Sequence, residues 1–204
     1  NGLDGHRRLP WIRNQCNPIG DGLNCGRLTV KIYIPGNWCS AVTETFAEID
    51  GLPDFSGIEP DEIDESIHQL LASNREEVIG IVARASDDPD WDSLVAPLEE
   101  IDDRLTKAWV PISHLNAVVN TEALRAAHDG CLVALTQYST ELGQSKPLYE
   151  AYKNLRSSKS YDDELSSAQK KVVDNALIDF ELSGVGLDEQ NKKRFADISE
   201  RLAV

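Results

Sequence analysis

From Leu52 to the last residue, apolar positions recur every three or four residues, the spacing that lines one face of an α-helix. Ile63, Ile67, Leu70, Leu71, Val78, Ile81 and Val82 form a first stripe, behind Pro60 and the acidic Asp61, Glu62, Asp64 and Glu65. Proline suits the first helical position, and carboxylates suit the positive end of the helix dipole. The pattern therefore predicts a helix over about 60–84, with His68 just off the stripe as a surface residue. After the loop "ASDDPDW", a second stripe runs Leu94, Leu98, Ile101, Leu105, Ala108, Ile112, Leu115 and Val119. Its steps alternate between four and three, a heptad seam that requires a partner helix.

Pro97 falls near the start of that helix, where it does little harm, but Pro111 falls inside it. An interior proline removes one backbone hydrogen bond and crowds the carbonyl four residues back, at about 3 kcal/mol. A kink or break between Trp109 and Ser113 is expected. The polar residues Ser113, His114 and Asn116 sit at this point. They read as hydrogen-bond partners for the disturbed backbone rather than as a catalytic group, since no nucleophile elbow surrounds Ser113.

Thr121 can cap a third helix carrying Leu124, Cys131, Leu135, Tyr138 and Leu142, with Gly143 as its stop. Cys131 reads as a small buried residue. "SKPLYEAYKNL" opens a helix with Leu148, Tyr152 and Leu155 on one face, and Tyr149 and Tyr152 read as packing. Ser166 or Ser167 opens the next, aligning Val173, Leu177 and Phe180 and ending at Gly184. Gly186 loosens the following turn, and Asp188 caps a last helix with Phe195, Ile198 and Leu202 on its stripe. No sheet pattern competes after residue 52, so an all-α, antiparallel bundle or array of about six or seven helices is predicted.

Residues 1–46 differ in kind. They hold three of the four cysteines, six of the 13 glycines, five basic residues and only three acidic ones. One segment, "RLTVKIYIPG" (27–36), alternates like a strand but has no partner in the sequence. A domain boundary is placed at residue 46, with an extension of irregular character before it and a helical domain over 47–204. Cys16, Cys25 and Cys39 with His6 lack the close pairing of zinc knuckles and read as thiols of a reduced, cytoplasmic compartment. The chain opens on Asn1, contains no Met, and ends with the helical period still running at Val204. Both ends read as those of a fragment.

Charge narrows the partners. The chain of 204 residues is 41% hydrophobic, a globular balance, yet carries a formal charge of −15. Binding to nucleic acid or to an anionic membrane surface calls for the opposite sign, so neither is expected. No apolar run reaches the roughly 20 residues of a membrane-spanning helix. The acidity reads first as solvated helix faces and second as a field that draws in cationic peptides.

Reaction chemistry is hard to find in the residues alone. There is no H-E-x-x-H, which would set two metal ligands and a general base on one helix face, and His6, His68, His114 and His128 are scattered. No glycine loop suits a phosphate. Glu99-Glu100 and Asp102-Asp103 are neighbours about 100° apart on a helix, hence solvated surface rather than acid–base pairs. No catalytic, cofactor-binding or metal-ligating residue is assigned to the chain.

Several long stretches carry a resemblance: "GLPDFSGIEPDEI" (51–63), "WDSLVAPLEEIDDRL" (91–105), "WVPISHLNAVVN" (109–120), "LTQYSTELGQ" (135–144), "AQKKVVDNALIDFELSGVGL" (168–187) and "FADISERL" (195–202). In this order they resemble the N-terminal region of the thimet oligopeptidase and neurolysin family of zinc metallopeptidases, in its oligopeptidase A branch. The resemblance covers about Leu52 to Val204; members of that branch would start near residue 47.

The resemblance implies a largely helical enzyme that cuts short peptides in a deep channel between two domains. Zinc would be held by an H-E-x-x-H helix and a later glutamate. None of these maps onto this chain, so zinc is expected in the full-length enzyme and not here. The present helices would form a channel wall that limits substrate size, with the catalytic remainder of the same polypeptide as their partner. Isolated from that remainder, the fragment should expose an apolar face and self-associate. The alternative is a stand-alone helical interaction module that offers the Leu94–Val119 seam to a partner helix. A weaker one makes residues 1–46 a cysteine-based metal-binding appendage.

Overall fold

Pro60 occupies the first turn of helix α1, Pro60–Arg84, whose N-terminal turn holds Asp61 and Glu62 and whose last turn holds Arg84. Both charge placements complement the helix dipole. The computed structural model describes residues 48–49, 52–85 and 88–203. The strand expected at 27–36, the cysteines Cys16, Cys25 and Cys39, and His6 lie outside the described residues. Glu48–Ile49 and Leu52–Pro53 pair as two short antiparallel strands, with Ile49 opposite Leu52. Everything after them is helical or turn.

Six more helices follow: α2 Ala96–Val118, α3 Glu122–Gly143, α4 Lys146–Arg156, α5 Lys159–Asp163, α6 Ser167–Leu182 and α7 Glu189–Ala203. Small side chains start most of them. Thr121 Oγ1 accepts from Leu124 N, Ser145 Oγ from Leu148 N, Ser158 Oγ from Tyr161 N and Asp188 Oδ1 from Asn191 N. Ser166 and Gln169 form a reciprocal capping box at α6. Each such cap satisfies an amide that a helix start leaves unpaired, at about 1 kcal/mol.

Two elements depart from the sequence reading. Residues Trp91–Val95 wind as one wide π-type turn that runs into α2, closed by a capping box between Asp90 and Ser93. The wide turn drives Leu94 and Val95 fully into the core. The five-residue α5 is too short to show a period. Nor does Pro111 break α2, which continues through it to Val118. Pro111 is buried with Ala108 and Ile112, and burial of that apolar face offsets the lost hydrogen bond.

The first three helices run up, down and up. The N-terminal half of α1 (Ile63, Ile67, Leu70, Leu71) shares one core cluster with the C-terminal half of α2 and with Leu124, Cys131, Ala134 and Tyr138 of α3. The C-terminal half of α1 (Val78, Ile81) joins Leu94, Val95 and Ile101, together with α4, Val173 and Phe180. α4 and α6 are antiparallel, tied by Arg156 Nε to Asp174 Oδ1 at 2.7 Å and by Tyr149 Oη to Glu181 Oε1 at 3.2 Å. α7 lies along α3, with Gln137 Nε2 donating to Glu200 Oε1 and Lys192 Nζ to the Gln144 carbonyl. The architecture is an all-α array.

The expected stripes are buried or half-buried, except Val119 at the end of the second stripe and the stripe of α7. In α7, Phe195 is half-buried, while Ile198 and Leu202 are exposed, and no residue of the helix is buried. The helical period identifies the face but not what covers it, and α3 meets only one flank of α7.

Candidate functional site

His114 lies exposed near the end of α2, its ring 5.5 Å from that of Phe55 and tilted against it. Among the described residues it makes no hydrogen bond or ion pair. Ser113 and Asn116 are half-buried, and Asn116 Oδ1 is buried without a hydrogen-bond partner. The three side chains do not bond one another, so no nucleophile–base pair is assembled there. Their expected role as partners of the backbone around Pro111 is not seen either. The helix holds its path by packing.

The other described histidines stand apart. His68 is exposed on α1, 3.7 Å from Asp64 one turn earlier. His128 is mostly covered, stacked on Trp109 with ring centres 4.9 Å apart, and its Nδ1 is 3.2 Å from Asp129. Among the described residues no group of three histidine, cysteine or acidic side chains converges as a metal site would require. Glu99, Glu100, Asp102 and Asp103 are all exposed. Cys131 is fully buried, and burial, reinforced by the charge of Asp64, pushes its thiol pKa up to about 11. Such a thiol is inert packing. Tyr149 and Tyr152 tilt against Phe180 at 5.8 and 5.6 Å, and burial of Tyr152, with Glu99 adding, drives its phenol far above the ordinary value. They pack.

A polar seam crosses the core where its two clusters meet. Asn74 is 0% exposed, at a position that the α1 stripe would assign to an apolar residue. Its Oδ1 accepts from Arg104 Nη2 at 2.8 Å, and the same nitrogen reaches Glu77 Oε1 at 2.8 Å, which joins α1 to α2. Arg75 pairs with Glu141 at 2.7 Å and lies over the Tyr138 ring, which joins α1 to α3. Asn74 Nδ2 and Tyr138 Oη are both buried with no hydrogen-bond partner. Burial raises the Tyr138 pKa, and the nearby Asn74 amide opposes it without reaching hydrogen-bond geometry. Sequence periodicity alone could have flagged Asn74, because it sits in phase between Leu71 and Val78.

A second joint brings two of the quoted stretches together. Gly143, from "YSTELGQ", packs so close to Ser183, from "DFELSGVGL", that a Cβ on it would lie 2.6 Å from Ser183 Cβ. Gln144 Nε2 donates to the Ser183 carbonyl at 3.1 Å, and Gly184 turns the chain with φ of +83°. The helix α3 does end at Gly143, and the missing side chain there also permits this close approach. Among the described glycines only Gly184 uses the left-handed freedom of its residue type.

One concavity among the described residues is a trough of about 510 Å³. Its walls are Leu105 and Trp109 of α2 and Phe195 and Ser199 of α7, and its floor is Leu132 and Leu135 of α3. A cleft of about 320 Å³ adjoins it past Ser139 and Ser183, bounded by Tyr152 and Phe180. Both are apolar with hydroxyl-bearing edges, a chemistry for contact rather than for bond breaking.

The heptad seam is spent inside the fold. Leu94, Ile101, Ala108 and Ile112 are buried, whereas Val119 at its end is exposed. Apart from half-buried Leu105, which lines the trough, and Val119, it offers no free surface to a partner helix.

Residues 67–192 match the sequence profile of the N-terminal domain of neurolysin and thimet oligopeptidase. The chain belongs to the neurolysin/thimet oligopeptidase family. Among the relatives of this oligopeptidase-family chain, oligopeptidase A of Salmonella typhimurium is 45% identical over 152 residues, 74% of the chain and 22% of the relative. Oligopeptidase A of Escherichia coli is 43% identical over the same length and shares. That of Haemophilus influenzae is 40% identical over 163 residues, 80% of the chain and 24% of the relative. The chain thus spans under a quarter of the length of these relatives. No helix among its described residues is long and apolar enough to cross a membrane.

Proposed function

We propose that this chain is the N-terminal, non-catalytic helical part of a zinc-dependent metalloendopeptidase of the oligopeptidase A type. In this reading the enzyme hydrolyses short peptides in a deep channel, and the present helices form a wall that limits substrate size. The observation that carries it is the match of residues 67–192 to the family's N-terminal domain, in a chain equivalent to 22–24% of its relatives. Residues 47–204 act as the helical domain and residues 1–46 as an extension outside it. The cytoplasm is the compartment that fits relatives of this type.

The described residues do not fit zinc: His68, His114 and His128 lie on three different helices and no ligand group converges. The metal and its base belong to the remainder of the polypeptide, and no catalytic step is derived through residues of this chain. What this domain supplies is shape and field. A net charge of −15 favours the approach of peptides with basic side chains, an effect that added salt weakens. The stand-alone module that uses the Leu94–Val119 seam is disfavoured because that seam is buried against α1 and α3.

The deciding experiment is to read the codons that follow Val204. The expected result is an open frame that reaches an H-E-x-x-H segment. A stop codon directly after Val204 removes the peptidase reading.

A further inference from the structure

Five of the twelve exposed large apolar side chains among the described residues lie at the C-terminal end of this domain. Ile178, Leu182, Leu187, Ile198 and Leu202 are all exposed, within 25 residues of one another. Along α7 the exposure rises toward the end of the helix: Phe195 is half-buried, Ile198 is 45% exposed and Leu202 is 82% exposed. These three share one helical face, at spacings of three and four. Phe195 of that face lines the trough together with Ser199, and Ile198 and Leu202 continue the face beyond the trough's lining. On the opposite wall Val110 of α2 is also exposed, at 55%. A proline, an alanine and an isoleucine hold α2 from within, so Val110 is not needed for the core.

The trough therefore has two walls made by helices, a floor on a third helix that mixes Leu132 and Leu135 with Thr136, Ser139 and Thr140, and apolar residues on both walls. Thr106 and Ser199 keep the walls low. Small side chains at such places let another backbone approach to the 8–10 Å typical of packed helices. Leu105, Trp109 and Val110 on one wall and Phe195 on the other ask for cover, with the hydroxyls of Thr106 and Ser199 between them.

We propose that the trough between α2 and α7, floored by α3, seats an amphipathic helix from the part of the same polypeptide that lies C-terminal to this domain. This rests on the reading of the chain as the N-terminal part of a longer oligopeptidase. The occupant is chosen by length and direction. The relatives are more than four times as long as the stretch they share with this chain, and the shared stretch is the family's N-terminal domain. In a polypeptide of that length the residues after α7 emerge beside Leu202, the most exposed of the large apolar residues described. The occupant presents apolar residues at i, i+3, i+4 and i+7, one strip for each rim and one for the floor.

Thermal unfolding of Leu202→Arg and Val110→Arg tests this, with each variant made in this chain alone and in the polypeptide extended to its relatives' length. In this chain both side chains are exposed, so the midpoint should move by no more than about 2 °C. In the extended polypeptide an arginine at either rim should lower the midpoint by about 5 °C or more. Leu202→Ala and Val110→Ala keep the comparison readable where an arginine prevents folding, with smaller shifts of the same sign. Equal shifts in both lengths overturn the proposal. So does sedimentation that shows this chain dimeric and its arginine variants monomeric, which makes a second copy the occupant. Zinc-dependent peptide hydrolysis by the unmodified extended polypeptide is measured beside it. If that is present without any length-dependent shift, the trough assignment falls alone; if it is lacking while the shifts appear, the peptidase reading falls and the docking stands.

Discussion

Replacing Gly143 with alanine puts a methyl carbon 2.6 Å from Ser183 Cβ and 2.7 Å from its Oγ. Carbon atoms settle about 3.5–4.0 Å apart, so the overlap is about an ångström. Rotation of the hydroxyl relieves only the contact to Oγ. Ser183 Cβ is fixed to the backbone, so the end of α3 and the turn after α6 must separate, which strains the Gln144 Nε2 bond to the Ser183 carbonyl. Overpacking of this kind costs about 1–3 kcal/mol, against a gain in helix propensity of up to about 1 kcal/mol. A net loss of about 1–2 kcal/mol follows, lowering the midpoint by about 2–8 °C in a domain of this size. Far-UV circular dichroism during heating and urea titration reads the loss. Ser183→Gly in the Gly143→Ala background removes both clashing atoms and should recover about 1–2 kcal/mol as a coupling term. Gly186→Ala, where a Cβ meets nothing within 4 Å, should by contrast be neutral or stabilising. A Gly143→Ala protein as stable as the parent, or a double variant with no recovery, refutes the close-approach argument.

Tyr138→Phe deletes a buried hydroxyl that has no partner, so stability in urea should hold or rise by up to about 1 kcal/mol; a loss of that size would mean the hydroxyl is satisfied. Asp90→Ala opens the capping box before α2 and should cost about 1 kcal/mol at neutral pH. The Ser93 hydroxyl and amide hold the Asp90 pKa below the ordinary 3.8, so its contribution is complete above that value and is lost as pH falls through the lowered one. The gap between parent and Asp90→Ala should therefore close in acid; a gap that is constant with pH contradicts the assignment. In a variant whose other cysteines are serine, Cys131 should react with thiol reagents at mildly alkaline pH only at the rate of unfolding, because its pKa of about 11 and its burial suppress the thiolate. Rapid labelling of the native protein speaks against that.

The sequence was most readable where local chemistry and burial agree. Proline at the start and the stripe from Ile63 to Ile81 define α1 as Pro60–Arg84, and Thr121, Ser166 and Asp188 cap the helices expected of them. Three features escaped for physical reasons. A single turn such as α5 or the wide turn at Trp91–Val95 has no repeat for periodicity to detect. Pro111 is tolerated because tertiary burial outweighs a local backbone penalty that the sequence displays in full. Gly143 shows its residue type but not the neighbour, since Ser183 comes from 40 residues further along. The site divides in the same way. The scattered histidines and solvated acids are evident from spacing. The trough and the Asn74–Arg104 seam exist only once α1, α2, α3 and α7 are assembled.

Zinc content and hydrolysis of a short fluorogenic peptide, measured on this chain alone and on the polypeptide extended past Val204, address the central claim most directly. The account predicts no turnover by this chain and zinc-dependent turnover by the extended one, unchanged by His114→Ala. Turnover by this chain unaided, or an extended polypeptide that holds no zinc and cuts no peptide, contradicts it.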